Sequence, residues 1–507
     1  MKLVVAVVVV SSSLAFAQAK QPPVKVVSPT IQPPPSDVGA QISVPALPAF
    51  EVVVPTNGHH TVQELLIDGK KHLGTKIEVE GTITWIYDCV TAVRKKGQSV
   101  AQAQRMVDAD PTMCERKKFY LGDASGTPLE RSLWVVDVPR APNKLERERL
   151  PKDELKNWPQ VPKLAVGDRV VVSGTFALAS PHSERNSDGL LVFASIASAP
   201  KAATPTSTVA PPDPPKAAPL ARKKADRPPR TVAASAAAIK LSDEATRAYG
   251  ARQYDDAIAK YKAALAEWSG HHFAWYGLAG SYIGKSDWVH AAEAIDNAVS
   301  LAPDVPMYLL VYGVASYEAI VATKPDLATT DFSKPLAAFL RAVQVEPKLW
   351  RAHYYIGRIY RDGGYYRAAA NAFREAVANG ASTTAPFIAL AELYRRWGYA
   401  KAASEVALLG TARFSGTVSA DVWYVLGMSY ADQRDHKLAI QSFTQALSAD
   451  PAHAKSMFQR GQSRFVLKDK KAAKADFEEF LKVATGDASL DFARRQANTM
   501  LADLSAR

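Results

Sequence analysis

The feature that most limits what this chain can fold into is a set of small-residue columns that return through its C-terminal half. Aligned on register starts at 238, 272, 306, 350, 384, 420 and 454, the first column reads Ala245, Ala279, Gly313, Gly357, Ala391, Gly427 and Gly461. A second column reads Ala257, Ala291, Pro335, Ala369, Ala403, Ala439 and Ala473, and a third Ala264, Ala298, Ala342, Ala376, Gly410, Ala446 and Phe480. The units are spaced by 34, 34, 44, 34, 36 and 34 residues. Such a period is that of a stacked-repeat architecture. Two antiparallel helices joined by a short turn approach closely only where a side chain is nearly absent. Bulky residues fill the gaps between: Tyr261, Ile295, Phe339, Phe373, Phe443 and Phe477 each lie four positions after the second column. Pro303, Pro347 and Pro451 close their units, because proline cannot continue a helical hydrogen-bond ladder.

These units resemble the tetratricopeptide repeat (TPR) family. Residues 272–303, HFAWYGLAGSYIGKSDWVHAAEAIDNAVSLAP, carry the resemblance best. Residues 420–451 carry it as well, with Trp423, Leu426, Gly427, Tyr430, Ala439, Phe443, Ala446 and Pro451 in the family's order. The departures are Pro335 in an alanine column, about ten extra residues near 321–332, and Ala407 with Gly410 in the fifth unit, which predict looser packing there. Seven TPR motifs then occupy 238–486, and 487–507 reads as the solvating cap helix that repeat arrays need. The resemblance implies a right-handed superhelix of helix pairs whose first helices line a concave peptide-binding groove. Mapped onto this chain, the family's contact positions give an apolar stripe of Tyr276, Leu310, Tyr354, Ile388, Tyr424 and Phe458. They add Arg351, Arg358 and Arg361 from the fourth unit and Arg395 and Arg396 from the fifth. Clustered guanidinium groups hold carboxylates in bidentate fashion, so the expected partner is an acidic or C-terminal peptide segment of another protein. The bland alternative is that these arginines pair with neighbours such as Asp362 and Glu392.

Ahead of the repeats, proline divides the chain. Residues 21–55 hold nine prolines and residues 200–230 another nine, a density that prevents helix and sheet. Segments 18–58 and 200–237 are therefore expected to be unstructured tethers. The second ends in a basic cluster, Arg222, Lys223, Lys224, Arg227 and Arg230, which offers contact with an anionic envelope surface. Residues 1–17 have one early lysine, an apolar stretch from Leu3 to Val10, and Ala15-Phe16-Ala17, the order of a secretory signal cleaved after Ala17. The expected location is periplasmic or secreted. No apolar run is long enough to span a bilayer.

Residues 59–199 read as short β-runs. From Lys76 to Cys89 the odd positions are Ile77, Val79, Gly81, Ile83, Trp85, Tyr87 and Cys89, a period of two with Ile86 as the exception among the even ones. Further runs are 119–121, 133–138, 169–176 and 190–196, with a charged helical tract at 143–158. Gly81 and Gly174 sit where a barrel must bend. The set resembles an oligonucleotide/oligosaccharide-binding (OB) domain, although an SH3-like or other small barrel fits the same runs. By parity Trp85 and Tyr87 fall with the core residues and Tyr120 faces outward. Cys89 and Cys114 are expected to form a disulfide that ties down the insertion between the first two runs.

The fold class is thus multidomain: an all-α TPR solenoid plus a small, mainly β, OB-like barrel. The net charge of +12 does not argue for nucleic acid, since the four regions 1–55, 56–200, 201–238 and 239–507 carry +1, +2, +5 and +4. The excess belongs to the linker. None of the ten histidines stands in a HExxH or Cys/His spacing, so they read as surface residues with no metal or other cofactor, and there is no glycine-rich phosphate loop or GxSxG elbow. No catalytic residue emerges and nothing favours an enzyme. The reading is an exported adaptor that presents its groove to a protein or peptide, with the barrel as a second interaction module. The alternative is a cell-envelope protein whose barrel binds a glycan or oligonucleotide while the repeats position it.

Overall fold

The computed structural model describes residues 43–506 except 49, 51, 56–57, 95–96, 128–130, 180–185, 200–205, 210–213, 215–234 and 324–329. The signal-like segment, the basic cluster and most of the extra residues of the third unit lie outside the described residues.

The described residues of the N-terminal half form eight strands and five short helices. In order they are β1 (Val52–Pro55), β2 (His60–Thr61), α1 (Val62–Asp68), β3 (Lys76–Ile86), α2 (Cys89–Val93) and α3 (Val100–Ala109). Then come β4 (Phe119–Gly122), β5 (Leu133–Val136), α4 (Lys144–Arg149), α5 (Lys152–Lys156), β6 (Arg169–Ala179), β7 (Asn186–Ser198) and β8 (Thr206–Val209). Strands β2–β3–β4–β5–β7–β6 form one six-stranded sheet, and β3 also pairs with β6, so the sheet closes on itself. Within it β5 and β7 run parallel while β3–β4, β4–β5, β3–β6 and β6–β7 are antiparallel. Val79, Ile83, Phe119, Leu121, Val135, Val172, Phe176 and Leu191 fill the interior. Gly174 is required for closure: a Cβ there would lie 2.4 Å from the Val192 carbonyl oxygen. Cys89 and Cys114 are disulfide-bonded, with Cα atoms 5.3 Å apart, and this ties α2 to the end of the insertion.

Among the described residues the C-terminal half holds seven antiparallel helix pairs and one further helix. They are α6 (Ala236–Gly250) with α7 (Tyr254–Glu267), α8 (His272–Gly284) with α9 (Trp288–Leu301), α10 (Pro306–Thr323) with α11 (Ser333–Val345), and α12 (Trp350–Asp362) with α13 (Tyr366–Ala378). They continue as α14 (Ala385–Arg396) with α15 (Ala400–Arg413), α16 (Ala420–Asp432) with α17 (His436–Ala449), and α18 (Ala454–Val466) with α19 (Lys470–Val483), followed by α20 (Asp491–Ala506). The small columns are where paired helices meet. A Cβ on Gly313, Gly357, Gly427 or Gly461 would lie 2.5, 2.5, 2.5 or 2.7 Å from the ring of Phe339, Phe373, Phe443 or Phe477. The bulky residue of each second helix thus occupies the space its first helix leaves open. The fifth pair is not loose: Ala407 is buried, and Val422 of the next pair comes within 2.8 Å of where a Gly410 Cβ would be. The smaller residues there admit the neighbouring unit instead of leaving a void. First helices also touch one another from unit to unit, as α14 with α16 and α10 with α12, more extensively than second helices do, so they lie on the inner side of the array. Among the described residues no helix is long and apolar enough to cross a membrane.

The two halves are in contact. Tyr366 donates its hydroxyl to the Ile67 carbonyl of α1, Arg434 Nη2 donates to the Gly126 carbonyl at 3.0 Å, and Arg131 packs over Gly398. Gly398, Arg434 and Tyr366 all lie at the loops joining first to second helices, so the barrel sits along the loop edge of pairs four to six. Chain ahead of the barrel follows the same edge. Phe50 is fully buried against Tyr394, Trp397 and Tyr399, and Arg374 Nε donates to the Pro45 carbonyl at 3.0 Å. The expectation of an unstructured tether over 18–58 therefore needs correction at its C-terminal end. The expected tether over 200–237 needs the same correction, since its residues Thr206–Val209 form β8 and pair with β1. Proline prevents the segment from ordering itself, but an extended strand with few internal bonds is suited to ordering on a surface supplied by another part of the molecule.

Candidate functional site

The inner face of the repeats is built from the first helices. On α12, Tyr354, Arg358 and Arg361 recur at three- and four-residue spacing and so share one face. The Arg358 guanidinium lies 4.6, 5.1 and 6.0 Å from the ring centroids of Tyr317, Tyr355 and Tyr354, and its Nη1 donates to Glu318 Oε1 at 3.0 Å. Burial pushes the Tyr355 hydroxyl up to about 12 and the Tyr317 hydroxyl higher still. The Tyr317 hydroxyl donates to Asp362 Oδ2 at 2.9 Å, and Arg361 Nε donates to Asp362 Oδ1 at 2.9 Å. One unit further on, Arg395 Nε donates to Asp432 Oδ2 at 2.8 Å. The acid partner comes from the preceding unit for Arg358 and from the following unit for Arg395, so these pairs also lock neighbouring units in register.

The arginines differ in how open they are. The Arg358 and Arg395 side chains retain 22% and 17% of their exposure, Arg361 39%, and Arg396 is exposed. Arg351 lies 5.4 Å from the Trp350 ring centroid. Arg396 is therefore the most exposed of the five, while Arg361 is paired with Asp362, as the alternative reading expected. Glu392 keeps an exposed surface on this face; partial desolvation raises its carboxyl pKa, and the charges of Arg395, Arg361, Lys455 and Arg396 only partly offset that. Of the apolar stripe, Leu310 and Phe458 are buried, whereas Tyr276, Tyr354, Ile388 and Tyr424 are half-buried along the face. Tyr424 is pushed up to about 12 by desolvation. Tyr317, Tyr355 and Glu318, which shape the face around Arg358, were not singled out from the sequence. A tyrosine-rich run around an arginine was the available signal.

The barrel carries a second surface. Trp85, expected in the core, is 36% exposed, and Tyr120, expected outside, is 6% exposed. A register shift between Ile83 and Trp85 on β3 inserts an extra residue opposite β4. Parity flips there: Ile86 turns into the core while Trp85 and Tyr87 turn out. The result is an aromatic row, Tyr87–Trp85–Tyr120–Trp134, with successive ring centroids 6.3, 5.5 and 5.5 Å apart. Tyr120 is covered because it lies in the middle of that row. Lys118 Nζ sits 5.4 Å from the Tyr87 ring and 5.1 Å from the Trp134 ring, and it pairs with Glu115. The reading of all histidines as surface residues also changes, since His59 and His60 are half-buried, His59 beside Glu80 at 3.4 Å.

Residues 242–306 and 327–386 match one tetratricopeptide repeat family model, and residues 420–453 match another. The C-terminal half is thus a helical TPR solenoid, preceded by a separate small sheet domain. Among solved structures, a tetratricopeptide repeat protein from Parabacteroides merdae matches at 12% identity and a TM-score of 0.39, over 52% of this chain and 100% of that one. YrrB, a TPR protein with an unusual peptide-binding site, matches at 16% and 0.32 over 40% and 99%. PilW, a type IV pilus biogenesis factor, matches at 18% and 0.37 over 44% and 98%. No curated protein sequence matches the chain.

Proposed function

We propose that this protein is an exported, non-catalytic adaptor whose TPR array grips an extended acidic or C-terminal peptide segment along its first-helix face. The observation that carries this reading is that half-buried tyrosines and arginines that keep part of their surface in solvent lie together on the first helices, around Tyr354, Arg361, Arg396 and Tyr424. Half-buried tyrosines supply apolar contact at low entropic cost, and the guanidinium groups supply bidentate recognition of carboxylate. Export rests on the secretory-signal pattern of residues 1–17. The test is fluorescence polarisation of the full chain against short acidic peptides with free or amidated C-termini. Arg361→Glu with Arg396→Glu weakens binding while the thermal transition stays in place. Affinity unchanged by that pair sinks the reading.

A second reading is favoured by the aromatic row on the barrel. The ring order β3–β4–β5–β7–β6, closed by β3–β6 with β5 and β7 parallel, supports an OB-like barrel. Its row of rings beside Lys118 suits stacking on sugars or bases. Quenching of Trp85 fluorescence by an oligosaccharide or oligonucleotide, abolished in Trp85→Ala, would move the affinity to the barrel and leave the repeats as its support.

A further inference from the structure

A group of donor atoms on the barrel belongs to neither surface. His60 opens the short strand β2, Glu64 lies in the first turn of α1, and His72 closes the 3-10 turn of Gly69–His72 that follows α1. One donor atom from each lies within 4.8 Å of the other two. The His60 and His72 rings stand with centroids 4.5 Å apart at 58°, and His60 Nδ1 is 3.0 Å from Glu64 Oε1. All three residues are half-buried. Glu64 Oε2 is shut off from solvent and has no hydrogen-bond partner among the described residues. A buried carboxylate oxygen without a partner is unfavourable unless something electropositive completes it.

The backbone beneath the three is held on every side. Asp123 accepts from Val62 N at 2.7 Å and Gln63 N at 2.8 Å, and Thr61 caps the same turn by accepting from Glu64 N at 3.2 Å. The His72 carbonyl accepts from Thr75 N at 3.0 Å and Thr75 Oγ1 at 2.7 Å. Gly69 lies so close to Phe176 that a Cβ would stand 2.3 Å from its ring. The donor atoms therefore differ from a chance surface meeting of long side chains, because their Cα positions are set by the barrel.

We propose that His60, Glu64 and His72 form a binding site for a divalent late transition metal ion, with zinc as its representative. Two imidazole nitrogens and one carboxylate oxygen are a borderline donor set, suited to zinc and unsuited to calcium or magnesium, which take oxygen ligands. Bonds of about 2.0–2.2 Å in a tetrahedral arrangement place donor atoms roughly 3.3 Å apart, so side-chain rotation closes the present spacing without backbone movement. Three protein ligands leave a fourth position for water or another donor. The ion would cross-link β2, α1 and the turn after it. Because Ile67 of α1 receives the Tyr366 hydroxyl, that cross-link would also stiffen the barrel surface resting on the repeats.

The experiment uses untagged full-length protein stripped with chelator and titrated with zinc chloride by calorimetry, with bound metal counted by mass spectrometry after dialysis. One equivalent is expected, with a rise in the thermal transition on loading. His60→Ala and His72→Ala each weaken binding by more than about tenfold, since loss of outer-sphere partners alone costs that much. The neighbouring His59→Ala leaves binding unchanged. Absence of stoichiometric binding, equal affinity in His60→Ala and His72→Ala, or equal loss in His59→Ala overturns the site. Should the two variants fail to fold, cobalt loading of the natural protein decides. A visible ligand-field band of a four- or five-coordinate centre supports the site, and its absence overturns it.

Discussion

The ring of Phe50 meets the ring of Trp397 edge to face at a centroid separation of 4.9 Å, although 347 positions of sequence separate the two residues. Phe50 N also donates to the Tyr399 hydroxyl at 3.0 Å, and the Phe50 backbone is held at φ 55°. A bulky residue in that left-handed region carries a cost of about 1–2 kcal/mol, which the burial of a whole aromatic ring offsets. Phe50→Ala should therefore release the segment from the loop edge. Truncating a buried phenylalanine costs about 3–5 kcal/mol where the contact is part of the cooperative unit. The expected outcome is faster proteolysis around residue 50 and faster amide exchange at Tyr399, with the repeats themselves still helical. Unchanged exchange at that edge would show that Phe50 does not anchor the segment.

The contact between Gly357 and the Phe373 ring predicts a large effect from one methyl group. Gly357→Ala places a Cβ 2.5 Å from the ring, and overpacking of this kind costs about 1–3 kcal/mol. Alanine is the better helix former, so propensity alone predicts the opposite sign. A urea titration decides between them, with a lower midpoint expected.

Six of the loops between paired helices share a left-handed residue among the described residues. It is Gly364 and Gly398 in the fourth and fifth pairs, but Arg252, Ser286, Arg434 and Lys468, at φ 59–62°, in the first, second, sixth and seventh. Lys468 is exposed. Lys468→Gly is expected to stabilise by about 0.5–1 kcal/mol, because relief of the left-handed strain exceeds the added entropy of the unfolded chain. Calorimetry of the variant checks this, and a lowered transition would contradict it.

Glu392 supplies a pH prediction. Its folded pKa is raised above the unfolded value, mainly by desolvation. The carboxyl therefore favours folding most below the unfolded value, near pH 4, and this contribution is lost as pH rises through the folded pKa. Glu392→Gln should melt slightly higher than the natural protein at neutral pH, with the gap closing in acid. The same change removes a negative charge from among Arg361, Arg395 and Arg396, so acidic peptides should bind more tightly and with steeper salt dependence. Tighter binding without the stability change, or the reverse, would separate the two roles.

The repeat array was legible because its information is local. A small residue in a first helix and a ring in its second helix lie within one unit of the chain, and recurrence at seven positions identifies the pattern. The disulfide was legible for a similar reason, since Cys89 and Cys114 are the two cysteines of the chain and flank one insertion. The partners of the groove arginines were harder to read. Glu318 and Asp432 stand 40 and 37 positions from Arg358 and Arg395, in adjoining units whose side chains meet only after stacking.

The sequence by itself determined the helix pairs, the closely packed columns and a β-rich domain ahead of them, because each rests on periodicity within a short stretch. Tertiary structure alone decided which way Trp85 points, since one extra residue opposite β4 reverses strand parity and only the pairing reveals it. It also decided that Phe50 is buried and that His60, Glu64 and His72 converge. Those outcomes depend on how separate segments come to lie against one another, and no local period in the chain records that.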